Sequence, residues 1–330
     1  MNQHSLPDHK QRIRHIKANA KTDPHYGKSP EDLSIPELLN CGFLLIDKPS
    51  GPSSHQVVAW IRDMLNIAKA GQSGTLDPAV TGVLPVVLGS STKGISAIAR
   101  SDKEYVCLMK LHKAAPEERI KKVCRQLVGD ISQMPPLRSA VKRQIRQRTI
   151  YYLDILEIQD NQVLFVVGCE AGTYIRTLCV EIGKMLKTGA HMEELRRTQV
   201  GSSPESDCSS LTDLKDALEF YQKDGDESHL RAIIKGPHHL YSGLGHIVVR
   251  DSSIDALCHG APLGLPGIVQ VDSDIKRDEL IAIMSLKGEP IALAHATMST
   301  EEILEKTNGI CATPLRVIMN RGTYPKLWKK

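Results

Sequence analysis

The segment GQSGTLDP, residues 71–78, constrains the fold more than any other stretch of the chain. Its glycines permit backbone angles that other residues avoid and let a ligand approach the main chain closely. Asp77 precedes a proline, which pushes it out of helical geometry into an extended or turn conformation. Most segments of this kind are plain surface turns, but apolar residues flank this one at 43–46 and 83–88. The pattern predicts a carboxylate on a fixed loop beside a buried scaffold, where chemistry is often carried.

The same segment resembles the catalytic motif of the TruB-type pseudouridine synthases, since Val80-Thr81-Gly82 follows it directly. The likeness is greatest to the archaeal and eukaryotic branch of that family, which includes dyskerin. The resemblance implies that Asp77 is the essential catalytic carboxylate.

The segment KPSGPSS, residues 48–54, is a second motif of that family. Its proline and glycine predict a turn, and Ser53 with Gln56 forms a capping box at the start of a helix. A helix start with one exposed lysine explains most of these residues, so we expect a mainly structural role. The resemblance also places Lys48 among the candidate RNA contacts.

A third motif, GTYIR at residues 172–176, precedes a predicted helix with one apolar side. An arginine there usually makes a surface ion pair, but the resemblance implies that Arg176 pairs with Asp77. A bound guanidinium would keep the carboxylate charged and oriented in a dry site. Tyr105, near the start of a predicted strand at 104–112, is expected to stack on the uracil and to be able to move a proton.

Five cations and no acid occupy residues 138–148, beside a double-proline turn. A solvated charged surface is the usual interpretation of such a run, but without acids contact with RNA phosphates is at least as good an interpretation. PPxxSAVKR, at residues 135–143, is also a motif of the family. The candidate RNA contacts in this run are Arg138, Lys142, Arg143, Arg146 and Arg148.

A further match, at residues 189–201, adds Arg196 and Arg197 to the candidate RNA contacts. Two positions depart from the family pattern: Gln72 replaces the usual histidine, and Ala79 replaces the usual lysine. Gln72 is expected to contact the flipped nucleotide, more weakly than histidine would. The aspartate, tyrosine and arginine all remain, so the enzyme interpretation stands.

Chain length, net charge and cysteine content limit the classes of protein to which this chain can belong. The chain has 330 residues, enough for two domains with separate cores, and its net charge of +4 does not by itself demand a nucleic-acid partner. Its eight cysteines form no Cys-x-x-C and none pairs with histidine at metal-ligand spacing, so we expect reduced thiols and no metal site. No apolar run of about 18 residues and no secretory signal are present, so no membrane partner is expected.

We expect an α+β fold: a pseudouridine synthase catalytic domain at 41–240, with a mixed, mainly antiparallel sheet plus helices, followed by a small all-β domain at 246–325. The second domain resembles a PUA RNA-binding domain, and the basic extension 1–40 is expected to pack on it. Its predicted short strands lie at 247–249, 264–271, 281–286, 291–295 and 316–319.

The resemblance implies an enzyme that isomerises uridine to pseudouridine in rRNA, with tRNA as a further target, and that needs no cofactor. It would act as the catalytic subunit of an H/ACA guide ribonucleoprotein, together with guide RNA, substrate RNA and small accessory proteins. A cytoplasmic location follows for an archaeal protein and a nucleolar one for a eukaryotic protein. A stand-alone tRNA enzyme and a non-catalytic RNA-binding scaffold are the alternatives. Asp77 can be the nucleophile or the base that abstracts a ribose proton.

Overall fold

The structure is a computed structural model that describes residues 5–7, 12–134 and 144–326. The strands are β1 (Arg14–Ile16), β2 (Phe43–Lys48), β3 (Ala70–Gln72), β4 (Thr81–Leu88), β5 (Lys103–Leu111), β6 (Gly129–Gln133), β7 (Arg146–Gln159), β8 (Gln162–Cys169), β9 (Ala190–Val200), β10 (Ser203–Pro204), β11 (Gly245–Val249), β12 (Leu263–Gly264), β13 (Ile268–Asp272), β14 (Leu280–Ser285), β15 (Pro290–Ala296) and β16 (Ile310–Val317). The α-helices are α1 (Ile35–Cys41), α2 (Ser54–Met64), α3 (Ser96–Ala99), α4 (Glu117–Gln126), α5 (Ile175–Leu186), α6 (Leu211–Asp224), α7 (Ser228–Ile233), α8 (Ile254–Cys258) and α9 (Thr300–Glu305). No helix among these residues is long and apolar enough to cross a membrane.

The first sheet has the order β2-β4-β9-β5-β8-β7-β6, with β3 added to β4 and β10 to β9. Its pairings are antiparallel except for β4 with β9. Helices α4 and α5 bury their apolar sides with β5 and β8, while α1, α2 and α6 pack with β2 and β4. The predicted α+β class, with a mixed and mainly antiparallel sheet, is confirmed.

Local sequence signals fix several of these elements. Ser53 caps α2, and its hydroxyl accepts from the backbone N–H of Gln56 in the predicted capping box. Strands β7 and β8 form the predicted hairpin, whose turn holds Asp160 at φ 52°. A short polar side chain tolerates this left-handed conformation better than most residues do.

The second sheet has the order β1-β13-β11-β14-β15-β16-β12, and it forms the small all-β module. Strand β1 comes from the N-terminal segment, where Arg14 Nε donates to Asp272 Oδ1 at 2.8 Å. Arg12 likewise reaches Glu279 at 2.6 Å. The N-terminal segment therefore lies on the second sheet, but α1 buries Ile35 and Leu38 in the core of the first unit.

The predicted last strand at 316–319 is wrong in position, because β16 runs from Ile310 to Val317. Pro314 interrupts the apolar pattern there, and it lies where the pairing of β15 with β16 shifts register. The short strands β1, β3 and β6 carry no clear alternation of apolar and polar residues, and the sequence did not indicate them.

One apolar core spans both sheets. Phe43 and Val83 from the first sheet are buried together with Val248, Met284 and Leu293 from the second. A buried apolar interface of this kind restricts motion between two units, which otherwise move readily.

The parallel contact between β4 and β9 depends on Gly82. Its φ is 98°, and a Cβ atom there would lie 2.1 Å from the backbone oxygen of Arg197. We expect Gly82→Ala to lower the free energy of unfolding by more than about 4 kcal/mol, since a clash with backbone adds to strain. Gly129→Ala is the matched control, because φ there is 109° but no atom lies within 4 Å of the added Cβ. Urea denaturation should show a cost of about 1–2 kcal/mol for the control. Equal losses in the two variants would contradict the clash.

Candidate active site

A cavity of about 290 Å³ lies where the loop 73–80, strand β5 and the first turn of α5 meet. Its lining includes Asp77 from the loop, Tyr105 from β5, Arg176 from α5 and Arg197 from β9. These residues are far apart in sequence, and the first sheet brings them together. Asp77 is the one carboxylate in the described lining, which holds neither histidine nor cysteine. The lining therefore suits acid–base or nucleophilic chemistry better than a metal centre.

Asp77 and Arg176 form an ion pair between Oδ2 and Nη2. The Asp77 side chain is 52% exposed and that of Arg176 is 42% exposed. The site expected to be dry is thus open to solvent in the free protein. An exposed pair contributes only about 0–1 kcal/mol to stability, so its main physical effect is to orient the carboxylate. The catalytic roles of both residues stay predictions.

The Lys48 side chain holds the backbone of the loop that carries Asp77. Its Nζ donates to the backbone oxygens of Pro49 at 2.7 Å, Pro78 at 3.0 Å and Val80 at 2.8 Å. Burial lowers the pKa of Lys48, and the nearby charge of Asp77 opposes that shift. The side chain is fully buried, which favours a structural role for Lys48, and its contact with RNA stays a prediction.

The start of α2 fixes the other side of the loop. Ser54 Oγ accepts from the backbone N–H of Leu76 at 2.8 Å and donates to the Leu76 oxygen at 3.1 Å. The backbone N–H of Gly51 donates to the Pro78 oxygen at 2.9 Å. The segment 48–54 therefore supports the backbone on both sides of Asp77. The sequence analysis did not predict the part that Ser54 plays in this support.

Tyr105 and Arg197 form a buried pair at the cavity. Their strands place the two side chains opposite each other, and each is close enough to affect the charge equilibrium of the other. Burial raises the pKa of the Tyr105 phenol, and Arg197 partly offsets that shift. The phenol is therefore neutral at neutral pH, able to donate or accept a hydrogen bond.

Arg197 is only 1% exposed but lines the cavity, so its contact with RNA stays a prediction, and only a base inside the cavity could make it. Its Nε donates to the Val83 oxygen at 2.8 Å, and its Nη2 has no hydrogen-bond partner in the described part of the chain. Gly74 approaches the guanidinium so closely that a Cβ there would lie 3.0 Å from Nη1. Charged residues are rarely buried alone, which is why the sequence did not predict that this one is enclosed.

Arg196, the residue before Arg197 in β9, points away from the cavity, and all three of its guanidinium nitrogens donate hydrogen bonds. Its Nη1 and Nη2 donate to the two carboxylate oxygens of Asp47 at 2.9 and 3.0 Å, and its Nε donates to Glu205 at 2.7 Å. The hydrogen bond that Arg196 donates to Asp47 is the main cause of the raised pKa of Arg196. The two carboxylates hold the guanidinium and link β9 to β2, and the contact of Arg196 with RNA stays a prediction.

Gln72 lies at the end of β3, and its Nε2 donates to Thr75 Oγ1 at 2.8 Å. The side chain closes the loop on itself, and Gln72 is not among the described residues that line the cavity. Contact between Gln72 and a flipped nucleotide stays a prediction.

The predicted basic run is described only in part, since Arg138, Lys142 and Arg143 lie outside the described residues. Arg148 Nη1 donates to the Gln147 oxygen at 2.7 Å and lies 3.4 Å from Glu170 Oε1. Arg146 is half-buried at the start of β7. Their RNA contacts stay predictions.

One residue that the sequence analysis missed, Gln133, supports the turn before Arg176. Gln133 Oε1 accepts from the backbone N–H of Tyr174 at 2.9 Å, and Gln133 Nε2 donates to the Tyr174 oxygen at 3.2 Å. This reciprocal pair ties β6 to the cavity wall. Gln133 lacks any local signal, because its partner is in a different part of the chain.

Family models match most of the chain between residues 6 and 318. The TruB family pseudouridylate synthase (N terminal domain) matches residues 62–118 and 112–175, and the tRNA pseudouridylate synthase B C-terminal domain matches 176–238. The PUA domain matches 245–318, and the DKCLD (NUC011) domain matches 6–58.

Among curated relatives, a probable tRNA pseudouridine synthase B of Methanosarcina barkeri is 52% identical over 98% of this chain and 96% of its own length. Its counterpart in Archaeoglobus fulgidus is 48% identical over 96% of this chain and 97% of its own length.

Two solved structures cover nearly the whole fold. A chain from the crystal structure of a Cbf5-Nop10-Gar1 complex is 47% identical, with a TM-score of 0.92 over 98% of this chain and 99% of its own. A chain from an H/ACA RNP bound to a substrate RNA containing 2'-deoxyuridine is 44% identical, with a TM-score of 0.91 over 98% of this chain and 100% of its own. The chain belongs to the dyskerin-like branch of the TruB family of pseudouridine synthases.

Proposed function

We propose that this protein converts uridine to pseudouridine in RNA, as the catalytic subunit of an H/ACA guide ribonucleoprotein. The observation that carries the proposal is the Asp77–Arg176 ion pair, which lies in one cavity with Tyr105. The similar solved structures include an H/ACA RNP with substrate RNA and a complex with Nop10 and Gar1. Guide RNA, substrate RNA and small accessory proteins are therefore the proposed partners.

The proposed reaction breaks the bond between N1 of uracil and C1′ of ribose, turns the base and joins C5 to C1′. The base loses the proton on C5 and gains one on N1, so no electrons enter or leave. Asp77 can attack C1′ as a nucleophile or abstract a ribose proton as a base, and its exposed carboxylate is accessible for both. Arg176 orients the carboxylate through their ion pair. Tyr105 offers a ring face for stacking and a neutral phenol for hydrogen bonding.

Arg197 has a positioning role in this proposal. It is buried opposite Tyr105 on the paired strands β9 and β5, where it can limit the movement of the ring. It also carries a positive charge that burial disfavours, as the lowered pKa of Arg197 indicates. An acceptor on an incoming base would satisfy its free Nη2 donor.

A uridine in folded RNA must leave its stack to enter the cavity. We propose that the basic run holds the RNA backbone during this step, with Arg146 and Arg148 at its described end. The PUA domain is proposed to bind guide RNA, and the proposed domains are the extension 1–40, the catalytic domain 41–240 and the PUA domain 246–325. We propose rRNA as a target and, since the curated relatives are archaeal, the cytoplasm as the location.

A second candidate is guide-independent modification of tRNA, because the curated relatives are named tRNA pseudouridine synthase B. Reconstitution of the reaction, with and without guide RNA and accessory proteins, distinguishes the two candidate functions. Product that appears only with guide RNA and accessory proteins supports the first candidate, and product on tRNA with protein alone supports the second.

We expect Asp77→Asn to lower pseudouridine formation by about 10³-fold or more, because the amide is neither nucleophile nor base. Folding and RNA binding should survive, since the change is nearly isosteric and the side chain is half exposed. Single-turnover conversion of a labelled substrate RNA measures the rate, and a binding assay is the control. A near wild-type rate would refute the role of Asp77.

Arg176→Lys should lower the rate by about 10²-fold, since lysine keeps the charge but loses the planar fork that orients a carboxylate. Arg62→Lys is the matched control, because Arg62 makes an exposed ion pair with Asp63 on α2 and does not line the cavity. Single-turnover rates at saturating RNA give the comparison. Equal rates in the two variants would show that the Arg176 guanidinium does not orient Asp77.

Gln72→His should change the rate only modestly, because the Gln72 side chain bonds within its own loop. The wild type should show no activity limb near pH 6.5 from this position, since an amide does not titrate there. Rate–pH profiles of both proteins test this. A wild type that is inert with correct guide and partners, beside an active Gln72→His variant, would favour the scaffold interpretation.

A further inference from the structure

Three side chains that can bind a metal converge outside the reaction cavity. Glu31 lies in the 3-10 turn Pro30–Asp32, and His238 and His239 lie in the 3-10 turn Pro237–Tyr241. One ligating atom from each lies within 4.8 Å of the others. We propose that Glu31, His238 and His239 bind a divalent transition-metal ion, with Zn²⁺ as the best match to this set of ligands.

The spacing of the atoms favours one shared ion. Glu31 Oε1 and His238 Nε2 are 3.2 Å apart. Tetrahedral Zn²⁺ with bonds of about 2.0–2.1 Å places neighbouring ligand atoms roughly 3.3 Å apart. The His239 ring lies beside that of His238, with centroids 4.2 Å apart and planes tilted by 39°. The third ligand therefore needs to move by at most about 1.5 Å to complete the set.

The set of ligands is one that Zn²⁺ commonly takes, since it joins two imidazole nitrogens to one carboxylate oxygen. His238 is half-buried, whereas Glu31 and His239 are exposed, so the two outer side chains can adjust around an ion bound to His238.

Solvent can reach the cluster. His239 also lines a polar cavity of about 490 Å³, whose wall includes Lys235 and five serines. The exposed carboxylate of Glu31 leaves the opposite side open. Water can therefore fill a fourth coordination position, and the ion has a path to the three protein ligands.

The place of the cluster in the fold assigns the ion a structural role. Lys287 Nζ donates to the Asp23 oxygen at 2.9 Å, and Glu289 Oε1 accepts from the Lys28 backbone N–H at 3.0 Å, so the segment lies on the second sheet up to that point. Helix α1 then packs in the first unit. Glu31 is in the stretch that crosses between them. A metal would fasten this crossing to the turn Pro237–Tyr241, which connects the two units.

Zn²⁺ titration of the full-length protein by calorimetry, with Co²⁺ as a spectroscopic probe, tests the proposal. We expect one equivalent of Zn²⁺ to bind, the Co²⁺ form to show the absorption of a low-coordinate N/O site, and the melting temperature to rise with Zn²⁺. Mg²⁺, which prefers oxygen ligands and octahedral geometry, should not compete.

The deciding variant is Glu31→Gln with His239→Asn, both at exposed positions where the fold should tolerate the change. We expect the Zn²⁺ dissociation constant to rise at least tenfold and the Zn²⁺-dependent rise in melting temperature to disappear. His259→Asn is the matched control, because His259 faces the single carboxylate of Asp255 at 3.5 Å. The control should bind Zn²⁺ as the wild type does. No saturable binding by the wild type, or a double variant whose affinity equals that of the control, would overturn the proposal.

Discussion

The loop that carries Asp77 depends on one interaction, the hydrogen bonding of the buried Lys48 ammonium. An ammonium has three donors, and a buried one is stable only if all three find acceptors. Here the acceptors are backbone oxygens, and two of them belong to Pro78 and Val80, just after Asp77. The cost of burying the charge therefore fixes the backbone beside the carboxylate. The backbone of the loop is held by Lys48, while the Asp77 side chain stays exposed to solvent.

Two arginines beside this loop differ in burial, and we infer that they differ in role for that reason. Arg176 is at the open side of the cavity, where it reaches Asp77 in contact with water. Arg197 is enclosed and supports Tyr105. An RNA base that enters the cavity displaces water from the exposed pair, and the lower local dielectric strengthens the ion pair at that moment. The dry site expected from the sequence would thus be completed by the substrate.

Local patterns predicted the elements that depend on local chemistry, and distant contacts decided the rest. The loop before Pro78, the cap at Ser53 and the hairpin turn at Asp160 follow from neighbouring residues, and the structure contains all three. Burial of Lys48 and Arg197 depends on partners far along the chain, and the usual exposure of charged residues argued against it. The cluster of Glu31 with His238 and His239 likewise exists only because the N-terminal segment folds back onto the connection between the sheets.

The apolar contact between the two sheets affects how a bound guide RNA would be positioned. Phe43 and Val83 of the catalytic sheet pack with Met284 and Leu293 of the PUA domain, and β1 adds the N-terminal segment to that domain. Domains joined by small polar contacts move relative to each other, whereas an extended buried apolar contact holds them together. A guide RNA bound to the PUA domain would then have a fixed position relative to the cavity. The fold can thus convert guide binding in one module into placement of one uridine in the other, because one apolar cluster joins the two modules.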